Sequence, residues 1–314
     1  MASAFRDIAV PGSTSNLGPG FDALSVAVNL YLRIRVLEAR AEPAGALEVT
    51  FNGAAPRGEN RIDSAYQLAC RRFGRPAVGL RVEVSSDIPV AAGLGSSASA
   101  AIGGLRLYES ARGVPLPADD LLAIATELEG HSDNASAALL GGMTLSCQCD
   151  DGRVLARAWS WPADIRLVVA TPELELQTTT AREVLPQAVS LRDAVANLQR
   201  ALLLVRALET GQYADLREAL RDRWHQPARL PLVPGLAEAL AIEHPAVLGV
   251  CLSGAGPSVL ALASPGRAEE AAAVLDRVYS GLGVPHTIRN LAAHPAASAT
   301  DTLPRPAAER ERTA

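Results

Sequence analysis

The sequence contains no lysine; all 29 of its basic residues are arginine. A Walker-type phosphate loop needs its lysine, a protein kinase its strand lysine and a pyridoxal enzyme its Schiff-base lysine, so none of these can operate here in the usual form. Aromatic residues are only 4% of the chain, too few for a platform that stacks single-stranded bases. The net charge is −5 with both signs interspersed, and no basic stripe suits a nucleic-acid duplex. No apolar run approaches the roughly 20 residues that cross a bilayer, and no basic-then-apolar leader opens the chain, so a cytoplasmic location is expected. Cysteine is scarce: Cys70, Cys147, Cys149 and Cys251. Cys147 and Cys149 alternate along an expected strand and share a face, but no further Cys/His cluster completes a metal site. Buried free thiols in a reducing compartment are the expectation.

With 314 residues, 48% hydrophobic and 20% charged, the chain is globular and long enough for one large domain or two ordinary ones. Ile8-Ala9-Val10 reads as a strand that leads into the loop "PGSTSNLGPGFDA". "VAVNLYLRIRVLEA", "LEVTF" and "LRVEV" read as strands, with a helix at 63–73 between the last two. "PVAAGLGSSASAAIGG" is a glycine-serine loop running into a helix that Ser96 or Ser97 can cap and Gly113 ends. "PADDLLAIATELEG" and "DNASAALL" predict two further helices, and Asp151-Gly152 turns a hairpin. From Pro162 onward the order is a strand, the helices "SLRDAVANLQRALLLVRALETG", "YADLREALRD" and "LVPGLAEALAIEH", a strand pair around "SGAGPS", a helix and a closing strand. That order suggests an α+β sandwich of ferredoxin-like type.

"GLGSSA" also fits the dinucleotide pattern G-x-G-x-x-A, but no acid ends a strand about 20 residues later, so a Rossmann reading fails. A nucleotide triphosphate is the better ligand. Gly93 and Gly95 let the backbone approach oxygen atoms closely. Ser96, Ser97 and Ser99 add hydroxyls, and the unpaired N–H groups of the next helix favour an anion. Alone, such a loop is equally a capped helix start. It is accompanied by Asn16 and Asp22 in a second glycine-rich loop, by Glu129, His131, Asp133 and Asn134 in "EGHSDNASAALLGG", and by the turn "LSGAGPS".

In order and spacing these segments resemble the motifs of the GHMP kinases, and "VPGSTSNLGPGFDAL" with "EGHSDNASAALLGG" resembles the homoserine kinase family within them. The likeness extends to about residue 293. The serine after His131 and the run "NASAALL" depart from the commonest wording of that family, which has proline and valine there. The resemblance implies an α+β, two-domain GHMP kinase fold: an ATP-binding domain of ribosomal-protein-S5 type over 1–161 and a ferredoxin-like domain over 162–293. Residues 294–314 are expected to form a disordered tail.

The same resemblance implies ATP and Mg²⁺ as cofactors and L-homoserine as the small-molecule substrate. The family is often dimeric, so a homodimer is the implied assembly. Pro89, Gly93, Leu94, Gly95, Ser96, Ser97, Ala98 and Ser99 would form the ATP loop, with Asn60 near the adenine and ribose. Ser97 and a glutamate would hold the metal; Glu127 and Glu129 compete, and Glu129 in "EGH" is preferred. Asp22 would take the substrate ammonium, Arg182 and Arg229 its carboxylate, and Thr178, Asn16, His131 and Asn134 would line the rest. His131, Asn134 and Arg182 are the expected catalytic positions. Many relatives have aspartate where Asn134 stands, and asparagine is no base, so either Asp133 accepts the hydroxyl proton or no side chain does; transfer without a protein base is favoured.

Overall fold

The computed structural model describes residues 7–40, 47–53 and 58–297. Six strands build the first sheet: β1 (Ile8–Ser15), β2 (Leu24–Arg40), β3 (Leu47–Asn52), β4 (Gly79–Ser86), β5 (Met143–Gln148) and β6 (Val154–Trp159). Their order is β3-β4-β2-β5-β6, with β1 on β2; β3 and β4 run parallel and the remaining pairs antiparallel. β2 sends Val26, Val28, Leu32 and Ile34 into the core at period two. Against the sheet lie α1 (Arg61–Arg72), α2 (Ser96–Arg112), α3 (Ala118–Glu129) and α4 (Asp133–Leu140). The "DNASAALL" segment is α4, and Asp151-Gly152 turns the β5–β6 hairpin as read.

α2 is buried on most sides, which explains its alanine and glycine content and weak amphipathicity. At Gly104 a Cβ would strike the Ile62 carbonyl of α1, and at Gly103 it would come within 2.8 Å of Ile34 Cδ1 on β2. The glycine pair therefore lets α2 wedge between helix and sheet. Its start, the anion loop, is fixed by that packing.

The second sheet contains β7 (Arg166–Pro172), β8 (Val247–Leu252), β9 (Val259–Ala263) and β10 (His286–Leu291), antiparallel in the order β10-β7-β9-β8. Between β7 and β8 come α5 (Thr178–Glu183), α6 (Leu191–Thr210), α7 (Leu216–Ala219), α8 (His225–Arg229) and α9 (Leu236–Leu240); α10 (Ala268–Gly281) joins β9 to β10. This is the expected ferredoxin-like order. Together the halves form a two-domain fold of mixed α and β content.

Several local expectations change. β1 does not end at Val10 but continues through Ser15, with a register shift at Pro11/Gly12. Gly12 permits this because the Leu94 carbonyl sits only 3.0 Å from where its Cβ would be. "YADLREALRD" is not one helix: a 3-10 turn leads into α7, and the Asp222 carboxylate takes the amides of Trp224 (3.0 Å) and Gln226 (2.6 Å), redirecting the chain into α8. "LVPGLAEALAIEH" shortens to the five residues of α9, entered from Gly235 at φ 78°. Cys70 and Cys251 are buried, but Cys147 is exposed and Cys149 half-buried, because the β5–β6 hairpin forms an edge of its sheet. The expected tail does not begin at 294. His294 N donates to Ala27 O (2.8 Å) and Ala297 N to Leu140 O (2.7 Å), while the His294 carbonyl accepts from Gly142 N (2.9 Å). The rest of that expected tail, 298–314, lies outside the described residues.

Helix propensity alone favours Ala over Gly by about 1 kcal/mol. Against the Ile62 carbonyl, Gly104→Ala is instead expected to destabilise by about 1–2 kcal/mol, read as a lower urea midpoint; an unchanged or higher midpoint would refute the wedge.

Candidate active site

The two glycine turns meet backbone to backbone. Ser253 Oγ donates to Gly93 O (2.7 Å) and bonds Thr14 Oγ1 (2.8 Å), and Gly254 N donates to Ser15 O (3.1 Å). Gly93 has φ 73°, and a Cβ there would collide with the Ser253 carbonyl. Leu176 N donates to Ala91 O (3.2 Å), closing the same seam. Beside it opens a cavity of about 640 Å³ lined from both halves of the chain.

One end is the start of α2. The helix is not capped by Ser96 or Ser97; its N-cap is Gly95, left-handed at φ 73°, with no side-chain cap bond. A Cβ at Gly95 would strike Ser13 Oγ. The first-turn N–H groups are therefore unpaired where Ser96, Ser97 and Ala98 line the cavity, together with Pro89, Gly93 and Gly95. Leu94 is not among the lining residues: its side chain is buried in the core and its carbonyl accepts from Ser13 N (3.0 Å). Ser99 is buried too: its hydroxyl donates to Pro11 O (2.8 Å) and Gly95 O (2.9 Å), so it braces the turn instead of facing a ligand. Asn60 lines the cavity while its Oδ1 caps α1 through Ile62 N (3.1 Å). Ser97 Oγ donates to Glu129 Oε1 at 2.7 Å, and the Glu129 side chain is only 7% exposed. Glu127 is 51% exposed and pairs with Arg72 on the surface, away from the loop. Of the two competing glutamates, only Glu129 meets the serine.

The oxygen pair Ser97–Glu129 suits a hard divalent cation that takes its other ligands from phosphate and water. Among the described residues no cluster of three or more His, Cys, Asp or Glu side chains forms a metal site by itself.

The other end is charged: Arg182 lines it, whereas Asp22, Asn16 and Arg229 stand behind the wall and are not among the lining residues. Arg182 on α5 holds Asp22 bidentately, Nη2 to Oδ1 at 2.7 Å and Nη1 to Oδ2 at 3.0 Å. Both side chains are about one-third exposed. Arg229 on α8 is buried, donating to Ala181 O (3.0 Å), Gly254 O (3.2 Å) and His225 Nδ1 (3.1 Å). Burial, then the neighbouring Arg182, pulls its pKa down to about 10, which still leaves a cation at neutral pH. Both guanidinium groups lie 5.5 Å from the Phe21 ring centroid. Asn16, buried and at φ 71°, donates to Gly254 O (2.9 Å) and accepts the Asp22 amide (3.0 Å); it shapes the turn carrying Asp22. Thr178, one turn before Arg182, lines the cavity.

His131 and Asn134 lie between the two ends, both on the cavity wall. His131 Nδ1 is 2.7 Å from Asp133 Oδ1. Burial disfavours the imidazolium, yet the hydrogen bond and charge of Asp133 outweigh it and raise the His131 pKa. Burial likewise works against the Asp133 carboxylate, but His131, the Asn134 amide and Ser15 overcome it and lower its pKa. Asn134 accepts from Ser13 Oγ (2.8 Å) and donates to Ser15 Oγ (3.0 Å), so both ends of its carboxamide are engaged by β1.

Sequence reasoning missed three features. Arg61, next to Asn60 in "GENRI", lines the cavity, with its Nε 3.5 Å from Glu129 Oε1. Arg289 on β10 also lines it, bonded to Thr171 Oγ1 (3.2 Å) and to no carboxylate among the described residues; burial lowers its pKa. Phe21 is the third. Its position beside Asp22 was a signal; Arg289 had none, since its strand is far away in sequence.

Two family models match: the GHMP kinases N terminal domain over residues 60–142 and the GHMP kinases C terminal over 204–281. A homoserine kinase from Moorella thermoacetica is 40% identical over 289 residues, 91% of this chain and 96% of that protein. One from Thermus thermophilus is 40% identical over 259 residues, 82% and 86% of the two chains. The crystal structure of a homoserine kinase from Cytophaga hutchinsonii shares the fold, with a TM-score of 0.80 at 24% identity over 94% of this chain and 98% of its own.

The raised His131 and lowered Asp133 pKa values set a pH window. The pair stabilises the fold fully above the unfolded Asp value of about 3.9 and below the unfolded His value of about 6.5. Its contribution is lost as pH falls through the lowered Asp133 pKa or rises through the raised His131 pKa. NMR titration should find His131 above about 6.5 in the unaltered protein and lower in Asp133→Asn; an unmoved midpoint would contradict the pairing.

Proposed function

The chain belongs to the GHMP kinases, in the homoserine kinase family, and from that premise we propose that it transfers the γ-phosphate of ATP to the side-chain hydroxyl of L-homoserine. The observation that carries the reading is one cavity lined by an anion-seating helix start and by Arg182, whose guanidinium is paired behind the wall with Asp22. A zwitterion replaces both halves of that pair: its ammonium meets Asp22, and its carboxylate meets Arg182, backed by Arg229. An alcohol without both charges leaves one of them unpaired. This favours an amino acid over the sugar and mevalonate-type acceptors of other GHMP kinases.

Triphosphate oxygens would sit on the N–H groups and hydroxyls of Gly95–Ala98. Ser97 and Glu129 would hold Mg²⁺, which when bound supplies charge neutralisation to the phosphates. The acceptor oxygen attacks the γ-phosphorus as the bond to the β–γ bridging oxygen breaks, releasing ADP. No protein base is needed. Asp133 is buried, bonded to His131 and Asn134, and its lowered pKa makes it a poor proton acceptor. His131 is engaged through Nδ1 by Asp133, whose hydrogen bond and charge raise its pKa, so it is held in place as a positioning group. The hydroxyl proton goes to a γ-phosphate oxygen, and catalysis rests on positioning and charge. Cytoplasmic location and a homodimer belong to the same proposal; light scattering of the purified protein should give twice the monomer mass.

Coupled assay across L-homoserine, mevalonate, galactose and shikimate should give Mg²⁺-dependent ADP release with homoserine alone, and turnover of another alcohol in its place would overturn the acceptor. Arg182→Ala should raise the homoserine KM about 10- to 150-fold, the loss of charged hydrogen bonds worth about 1.5–3 kcal/mol, and leave the ATP KM within about twofold. Asp133→Asn should retain measurable kcat; its complete loss with ATP binding intact would restore Asp133 as the base.

A further inference from the structure

The phosphate end of the cavity poses an electrostatic problem that the assigned residues do not solve. An ATP triphosphate carries several negative charges, Glu129 adds another, and a lysine-free chain cannot place an ammonium there. Helix N–H groups contribute only about half a charge. Resting on the reading above, we propose that Arg61 is a direct ligand of the triphosphate.

Arg61 is the first residue of α1, directly after the helix cap Asn60, so its backbone is anchored at the cavity edge. Its guanidinium bridges two carboxylates. Nη1 donates to Glu59 Oε2 at 2.8 Å, and Nε lies 3.5 Å from Glu129 Oε1. That same Glu129 oxygen accepts the Ser97 hydroxyl at 2.7 Å. The guanidinium and the phosphate-loop serine thus flank one oxygen atom. Nη2 bonds no described residue, and the side chain is 32% exposed, leaving room to turn without desolvating a buried group. The 3.5 Å contact is long for a hydrogen bond and easily exchanged. When Glu129 turns to a metal, Arg61 is left beside the phosphates with donors to spare, and its planar fork matches phosphate oxygens.

A purely structural Arg61 would instead hold Glu129 in place. The two roles separate when metal is absent. Binding of ATP and of adenosine is measured in EDTA by calorimetry or fluorescence, for the full chain and for Arg61→Met, Arg61→Lys and Glu129→Gln. A direct ligand predicts that Arg61→Met weakens metal-free ATP binding by about tenfold or more, the loss of one charge-assisted bond, with adenosine affinity and melting temperature unchanged. Arg61→Lys should recover part of the loss, and Glu129→Gln should leave metal-free ATP binding equal or tighter. Metal-free ATP affinity unchanged in Arg61→Met, or ATP and adenosine weakened equally, overturns the assignment. If the unaltered protein binds ATP but does not phosphorylate homoserine, only the acceptor above is wrong and the Arg61 comparison still decides. If it binds no ATP, both fall.

Discussion

The architecture of this site depends on the contact of two glycine turns, Ala91–Gly95 from the first half of the chain and Ser253–Gly256 from the second. Apart from the Ser253 hydroxyl, the closest approach is main chain against main chain, so carbonyls and amides do most of the joining. Side-chain contacts would keep the backbones farther apart. The seam fixes the α2 start relative to α5 and α8, and so sets the distance between the phosphate seat and the arginines. Gly254 O makes the link explicit, accepting from Asn16 of the first domain and Arg229 of the second.

Apart from Arg289, the charges at this site are arranged as pairs. Arg182 holds Asp22, Arg61 bridges Glu59 and Glu129, and His131 holds Asp133. Arg182–Asp22 and Arg61–Glu59 are partly exposed, and exposed pairs cost little to separate, whereas Glu129 is nearly buried. The His131–Asp133 pair is buried and fixed, in keeping with a group that orients instead of exchanging. A zwitterionic acceptor and a polyanionic donor can enter such a site by swapping partners, without stranding a bare charge in a low-dielectric pocket.

Much of this was legible in the residues. Glycine loops flanked by apolar strands, the 3.6-residue pattern of α3 and α6 and the β5–β6 turn each follow from local chemistry. The errors also have local causes. β1 looked finished at Val10 because Pro11 and Gly12 ordinarily end strands, but the bulge and the nearby Leu94 carbonyl accommodate them. Ser99 looked like a phosphate ligand because it shares a loop with Ser97, yet two helix positions turn its hydroxyl inward to Pro11. His294–Ala297 looked like tail because main-chain pairing with distant partners leaves no trace in composition.

By itself, the sequence determined which groups could act: arginine as the sole basic cation, a glycine turn able to seat an anion, and a short list of acids and imidazoles. Their types and local spacing are covalent facts, and helix and turn periodicities follow from them. Only the tertiary structure decided which of those groups meet. Glu129 and not Glu127 faces Ser97, Arg61 joins them from another helix, and Asp22 finds Arg182 across 160 positions of chain. Such choices depend on how helices pack around a shared core, and packing couples residues by shape and distance in space, whatever their separation along the chain.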